Sequence, residues 1–357
     1  MNNHTRLTCI DAFCGAGGLS LGLEWAGFDI IAAFDSDPYC IETYNRNRKK
    51  FVAIVADART LSPEALLHGT AFSRGDIDLV AGGPPCQGFS SQTRGAHLGD
   101  PRNELVLHFI RLVRALLPRF FLFENVTGFG RKRGKAFLGA IERELSEYDL
   151  VPNVFNAADY GLAQTRQRFI LVGRRRDVPG PYQPPPPTVD RWRTVGEAIG
   201  DLPEPPEDGS DHPLFFNHSR SRVSPKNIER FSYVPQGGGW QDIPEHLRLP
   251  CHRRIKKGSG GWPDVFGRLE WSGQAPTITS GFDSFTRGRY GHPLQNRPLT
   301  PREAARIQGF PDWYRFYGTR NAIRHQIGNA VPPPLAEAIG RSIASCLLLS
   351  HGCSMAA

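Results

Sequence analysis

The sequence predicts an α/β fold, a mostly parallel sheet with helices on both faces, joined to a smaller irregular domain. Three observations carry this. Short apolar runs of strand length alternate with helical stretches through the first half of the chain. A glycine-rich turn follows the first strand, and an aspartate ends the second strand twenty residues after Gly15. Beyond a proline-rich stretch the periodicity fails, and Gly, Trp, Arg and Ser interleave instead.

The elements follow in order. Leu7–Phe13 reads as a buried strand, Leu19–Trp25 as an amphipathic helix, and Ile30–Phe34 as a second strand ending in Asp35. Val52–Val55 and Ile77–Ala81 are the third and fourth strands. Glu104–Leu117 has helical spacing and stops at Pro118, and Phe120–Phe123 is a fifth strand running into Glu124. Phe169–Gly173 is a late strand. Residues 1–178 then form the first part of one domain. Residues 179–296 are a connector containing Pro184–Pro187 and a second, irregular domain, and residues 297–357 return to the first. Thr300 is the expected N-cap of a helix from Pro301 to Gln308, and a last helix spans about Leu335–Leu348.

Composition excludes several classes. With 357 residues and 39% apolar content the chain can bury a sizeable core, so it is not a disordered tail. The longest apolar stretches are broken by Arg114, Pro118, Arg119 and Arg341, short of the ~18 uncharged residues a membrane helix needs. No leader-like apolar segment follows Met1, so a cytoplasmic protein without a membrane partner is expected. Seven cysteines without paired spacing argue against a disulfide scaffold, and Cys251-His252 lacks a partner pair for a metal. The net charge of +8 suits a polyanionic partner, and residues 212–296 hold 12 Lys+Arg against 6 Asp+Glu.

The chemistry-bearing residues sit at strand ends. Phe13, Gly15, Gly17, Gly18 and Leu19 surround a turn where backbone can approach a ligand, and Asp35 stands where a carboxylate can bind ribose hydroxyls. Asp57 adds an acid after strand three. The turn fits a dinucleotide or S-adenosylmethionine, although Ser20 occupies the place of the third glycine of G-x-G-x-x-G. Cys86 follows two prolines at the carboxyl end of strand four, a stiff approach suited to presenting a thiol. Glu124 leaves strand five at the same edge. In Gln164-Thr165-Arg166-Gln167-Arg168, extended backbone would turn Gln164, Arg166 and Arg168 to one side.

These pieces resemble the DNA (cytosine-5)-methyltransferases of bacterial restriction-modification systems. The resemblance rests on Asp11–Gly22 (DAFCGAGGLSLG), Gly83–Ser90 (GPPCQGFS), Glu124-Asn125-Val126, Gln164–Arg168 (QTRQR), Arg297–Pro311 (RPLTPREAARIQGFP) and Gln326–Pro333 (QIGNAVPP). Six blocks in the family's order span nearly the whole chain. Residues 212–296 match only around Ala275–Thr279, as befits the family's variable target-recognition domain. Cys14 stands where the family often has alanine, and Ser36 where a bulkier residue often covers the adenine.

The resemblance implies a Rossmann-like, S-adenosylmethionine-dependent fold and a covalent mechanism. Cys86 would attack carbon 6 of a flipped-out cytosine, turning carbon 5 into a nucleophile. Glu124 would hold and protonate ring nitrogen 3, Arg168 would bond the carbonyl at position 2, and Arg166 would support Glu124 or the backbone. S-adenosylmethionine would lie on the glycine turn, Asp35, Ser36, Asp57, Ala58, Pro85, Leu105 and Asn329, leaving as S-adenosylhomocysteine. Duplex DNA would meet Gln87, Ser90, Arg94, Gln164, Arg253, Arg254, Lys256, Lys257, Arg287 and Arg289. A monomer is expected, sharing its site with a restriction endonuclease without forming a stable complex. Three rivals carry other signatures. A tRNA-methylating enzyme of the same fold would share the catalytic residues. A nicotinamide-dependent oxidoreductase would leave Pro-Pro-Cys-Gln without a role. A catalytically silent DNA-binding regulator would not need Cys86, Glu124 and Arg168 together.

Overall fold

A strand buried on both faces needs apolar side chains at every position, and this requirement shapes the sheet. A computed structural model describes residues 6–85, 104–131, 134–254 and 262–353. Its strands are β1 (Leu7–Ala12), β2 (Phe28–Asp35), β3 (Ala53–Val55), β4 (Leu79–Gly82), β5 (Phe120–Val126), β6 (Tyr148–Asn156) and β7 (Gln167–Arg175). The helices in chain order are α1 (Gly18–Trp25), α2 (Pro38–Arg46), α3 (Leu105–Leu116), α4 (Lys135–Glu144), α5 (Val195–Ile199), α6 (Pro225–Ser232), α7 (Pro250–Arg253), α8 (Pro301–Ile307), α9 (Arg320–Asn329) and α10 (Pro333–Cys353). Among the described residues no helix is long and apolar enough to cross a membrane.

The described residues form two compact units, one of Met1–Tyr160, Gln167–Thr188 and Val331–Ala357, the other of Gly161–Arg166 and Val189–Ala330. These limits differ from boundaries at 178/179 and 296/297, for two reasons. Residues 179–188, with Pro184–Pro187, belong to the first unit, where the Tyr160 hydroxyl donates to the Pro185 carbonyl at 2.9 Å. Residues 297–330 belong to the second, where Asn217 Nδ2 donates to the Phe316 carbonyl at 2.9 Å and Arg302 to that of Phe216.

In the first unit the strand order is β3-β2-β1-β4-β5-β7-β6. The first five strands in that order are parallel, while β7 runs antiparallel to both β5 and β6. Side chains alternate between two cores. Cys9, Leu79, Leu122 and Ile170 face Leu19 and Leu23 of α1 and Leu335, Ile339 and Ile343 of α10. Ile10, Val80, Phe121 and Leu171 face Phe109, Ile110 and Val113 of α3. At about 1.5–3 kcal/mol per fully buried large apolar side chain, these two layers dominate the unit's stability. Helix α10 packs tightly on α1 because Gly22 lacks a side chain: a Cβ there would stand 2.2 Å from the Pro333 carbonyl oxygen.

Among its described residues the second unit has short helices and isolated bridges instead of a ladder. Its irregular backbone must still satisfy its carbonyls, and buried guanidinium groups do much of this. Arg268 donates to the carbonyls of Val234, Phe231 and His292 at 2.6–3.0 Å, with its plane 4.0 Å from the Phe231 ring centre. Arg302 donates to those of Phe216, Pro311 and Tyr314. Burial pulls both guanidinium groups down to about 10. The expected cap of α8 is present: Thr300 and Glu303 form a reciprocal capping box with Pro301 at the first helical position.

Candidate active site

In a parallel sheet, ligands collect at the carboxyl edge, and in the first unit the chain turns there after β1, β2, β3, β4 and β5. The turn after β1 needs left-handed backbone. Gly15 and Gly17 supply it at φ +51° and +87°, and so does Phe13 at +59°, a costly conformation for a side-chain-bearing residue. Among the described residues a Cβ on Gly15 would meet no heavy atom within 4 Å, so they leave the turn open above that glycine. The half-buried Phe13 ring lies 5.5 Å from that of Phe34, while Gly18 and Leu19 begin α1 and are buried.

Asp35 closes β2 beneath the same turn. Its two oxygens accept the backbone N–H groups of Gly15 at 3.0 Å and Asp37 at 2.9 Å. Burial raises the Asp35 carboxyl above its ordinary range, against the pull of those two amides. Ser36 beside it is exposed. Asp57, after β3, is gripped by the Arg59 guanidinium at 2.7–3.0 Å, and that hydrogen bonding holds it below the usual carboxylate range. Ala58 is buried with its carbonyl accepting from Arg111, and half-buried Leu105 starts α3. The open turn, the carboxylate between two strands and the acid after β3 fit a ligand with an amine and ribose hydroxyls.

Next along the edge, the segment leaving β4 is fastened to β5. Asn125 Nδ2 donates to the Pro84 carbonyl at 3.1 Å. A Cβ on Gly83 would stand 3.0 Å from Glu124 Oε2, so this glycine lets the segment lie against the carboxylate. Pro85, at the end of the described segment, is exposed. Glu124 pairs with Arg168, Nε to Oε1 at 2.8 Å, with both side chains 12% exposed. Burial lowers the Arg168 guanidinium from its ordinary value while Glu124 opposes the shift. Arg168 reaches this edge because β7 is antiparallel: its first residues lie beside the last residues of β5, Arg168 opposite Val126.

The other predicted residues divide. Gln164 and Arg166 precede β7 and belong to the second unit, whereas Arg168 lies on β7, so the three do not continue one strand. Gln164 is buried with both amide ends engaged, Oε1 by the Ile278 N–H at 2.7 Å and Nε2 by Gln308 at 2.8 Å. Arg166, 2% exposed, donates to the carbonyls of Ile278, Gly328 and Ala330 at 2.9–3.1 Å, so of its two expected roles these bonds serve backbone support. Arg289, expected on DNA, pairs with Asp264 at 3.2 Å and donates to the carbonyls of Gly237 and Gly238. Arg253, Arg254 and Arg287 are exposed, as is Asn329 at the end of α9. Cys86, Gln87, Ser90, Arg94, Lys256 and Lys257 lie outside the described residues. Sequence reasoning gave no role to Asn125 or Asp11, although both stand in quoted motifs.

The strand order, the reversed β7 and the ligand-facing edge define an S-adenosylmethionine-dependent methyltransferase fold. The chain belongs to the C-5 cytosine-specific DNA methylase family, which matches residues 7–345. It is 37% identical over 373 residues to the type II methyltransferase M.XorII of Xanthomonas oryzae, covering 96% of this chain and 86% of that protein. Against the type II methyltransferase M1.HphI of Haemophilus parahaemolyticus the identity is 36%, over 94% and 86%. A prophage-encoded protein of Escherichia coli, described as a DNA modification methyltransferase, superposes with a TM-score of 0.71 at 29% identity over 96% and 99% of the two chains.

Proposed function

We propose that this protein transfers a methyl group from S-adenosylmethionine to carbon 5 of a flipped-out cytosine in a specific duplex DNA sequence, through a transient bond to Cys86. The observation that carries this is the juxtaposition of the Gly83–Pro85 segment, which leads into Cys86, with the Glu124–Arg168 pair. The Phe13–Leu19 turn, Asp35 and Asp57, with Ala58 and Leu105 beside them, would hold S-adenosylmethionine, which would supply an electrophilic methyl group. Pro85 completes its pocket.

The chain's own residues do the rest. The thiolate of Cys86 adds to carbon 6, and the electron pair displaced from the ring double bond makes carbon 5 nucleophilic. Free thiols titrate near ~8.5, so Cys86 loses its proton before or during attack. Glu124 delivers a proton to ring nitrogen 3 and accepts from the exocyclic amine, offsetting the charge that addition creates. Arg168 holds Glu124 and donates to the carbonyl at position 2. Once carbon 5 is methylated, its proton passes to a base or water, the sulfur–carbon bond breaks and the nitrogen 3 proton returns to Glu124, restoring the ring, the acid and Cys86. Duplex DNA is the partner in this reading, and the exposed Arg253, Arg254 and Arg287 are its phosphate or base contacts. The relatives' type II designation supports a role in a bacterial cytoplasm, protecting the site that a restriction endonuclease cuts. Incubation with duplex DNA carrying 5-fluorocytosine and S-adenosylmethionine should trap a covalent adduct that Cys86→Ala cannot form. Turnover on ordinary duplex without a trapped adduct would overturn the covalent route, and methylation of tRNA in place of DNA would reassign the substrate.

A further inference from the structure

Beneath the glycine-rich turn lies a carboxyl group that neither the packing nor the proposed chemistry uses. Asp11 is wholly buried at the end of β1. Its Oδ2 accepts the Ser20 hydroxyl at 2.5 Å, and Ser20 Oγ accepts the Tyr44 hydroxyl at 2.8 Å. Among the described residues its Oδ1 has no hydrogen-bond partner. A buried carboxylate oxygen left bare is costly, so the group either stays neutral or finds a cation.

The charged and titratable groups around it do not supply one cleanly. Cys9 shares its strand, Cys14 lies in the turn, Asp35 comes from β2, and Tyr44 from α2. Arg48 acts on it, yet its guanidinium is committed elsewhere: it pairs with Glu24 at 2.8 Å, donates to the Gly17 carbonyl at 3.2 Å and lies 3.7 Å from the Tyr44 ring centre. An ionised Asp11 is one positive charge short.

We infer that Asp11 is a proton-linked positioning residue for the cofactor: it keeps a proton while the glycine turn is empty and ionises, passing that proton to solvent, when a ligand bearing a sulfonium and an ammonium group seats on the turn. This rests on the reading that S-adenosylmethionine binds this edge. Burial drives Asp11 up to about 7, against the pull of Ser20 and Arg48, so the proton is exchangeable in the physiological range. Because the bound form prefers the carboxylate, cofactor binding tightens as pH rises through that value and levels off above it.

The test is calorimetric titration of S-adenosylmethionine and S-adenosylhomocysteine into the whole protein, in buffers of different ionisation heat. The ligands' own α-amino group titrates near 8 in either protein, so the readout is the difference between the natural protein and Asp11→Asn. The natural protein should release about half a proton more per S-adenosylmethionine at pH 7, and its affinity should gain about tenfold between pH 6 and 8 relative to the variant. S-adenosylhomocysteine, without the sulfonium charge, should show a smaller excess. Equal proton release and equal pH slopes in the two proteins would overturn the inference. Should Asp11→Asn fail to fold, Ser20→Ala removes a hydroxyl that favours the charged form and should move the binding midpoint to higher pH; an unmoved midpoint overturns the inference equally. Absence of any binding heat with the natural protein would instead overturn the cofactor reading, and this inference with it.

Discussion

Glu124 and Arg168 are held as a near-buried pair, and removing either half leaves the other without its partner. Glu124→Gln keeps the shape but cannot deliver a proton as the acid does. Its single-turnover methylation rate should fall about 10²- to 10⁴-fold, with S-adenosylmethionine affinity unchanged by titration. Arg166 illustrates the opposite case, two residues away in sequence. Its three carbonyl acceptors make it a fold residue, so Arg166→Met should cost about 3 kcal/mol or more by denaturant unfolding. A variant that unfolded at the natural midpoint yet lost its methylation rate would return Arg166 to the chemistry. Spacing alone could not separate these two arginines, and only the family resemblance gave them different roles. What separates them is that β7 begins at Gln167, so only Arg168 is carried on the sheet.

At the scale of elements, legibility followed burial. Strands β1, β2, β4, β5 and β7 are largely buried, which leaves mainly apolar runs of strand length. Strand β6 escaped notice because it lies at the sheet's edge, where Asp149, Pro152 and Asn153 interrupt the pattern and a proline is tolerated. Helix α4 escaped because it buries only Ile141 of its ten residues. The N-cap of α8 was legible because caps are local chemistry, and the structure adds Glu303 as its reciprocal partner. Thr300 also lies 2.9 Å from His218 Nδ1, so Thr300→Ala should cost about 1–2 kcal/mol and lower the melting temperature by about 2–4 °C. Glu303 opens a pH window there: burial raises it, but the paired Arg297 outweighs that and holds it at about 2, below its ordinary 4.5. That stability is present above pH 4.5 and is lost as pH falls toward 2. Unfolding followed in acid should therefore be less steep in Glu303→Gln over that interval; matching slopes would rule the linkage out.

For the whole molecule, the basic surplus read from composition needs reapportioning. Of the 12 Lys+Arg in residues 212–296, Arg230 and Arg268 are buried on carbonyls and Arg289 is tied to Asp264, so part of that charge holds an irregular chain together. Charge counts cannot show this, since a buried guanidinium and an exposed one are the same letter. The exposed remainder still predicts electrolyte-sensitive binding. Affinity for duplex DNA, measured by fluorescence anisotropy, should fall at least about tenfold between 50 and 200 mM salt. An affinity flat across that range would mean the exposed arginines do not meet phosphate.

The reversed direction of β7 has a last consequence. Arg168 stands beside Glu124 through the pleat's parity, with Gln167 turned to the other side and Ile170 and Leu171 each committed to its own core. A slip of one residue would put an amide where the cation belongs and, in the same step, exchange the residues of the two apolar layers. Loss of the ion pair and loss of packing thus arrive together. Frame-shifted pairings of this strand should be cleared as unfolded protein before any of them could persist as an intact but inert enzyme.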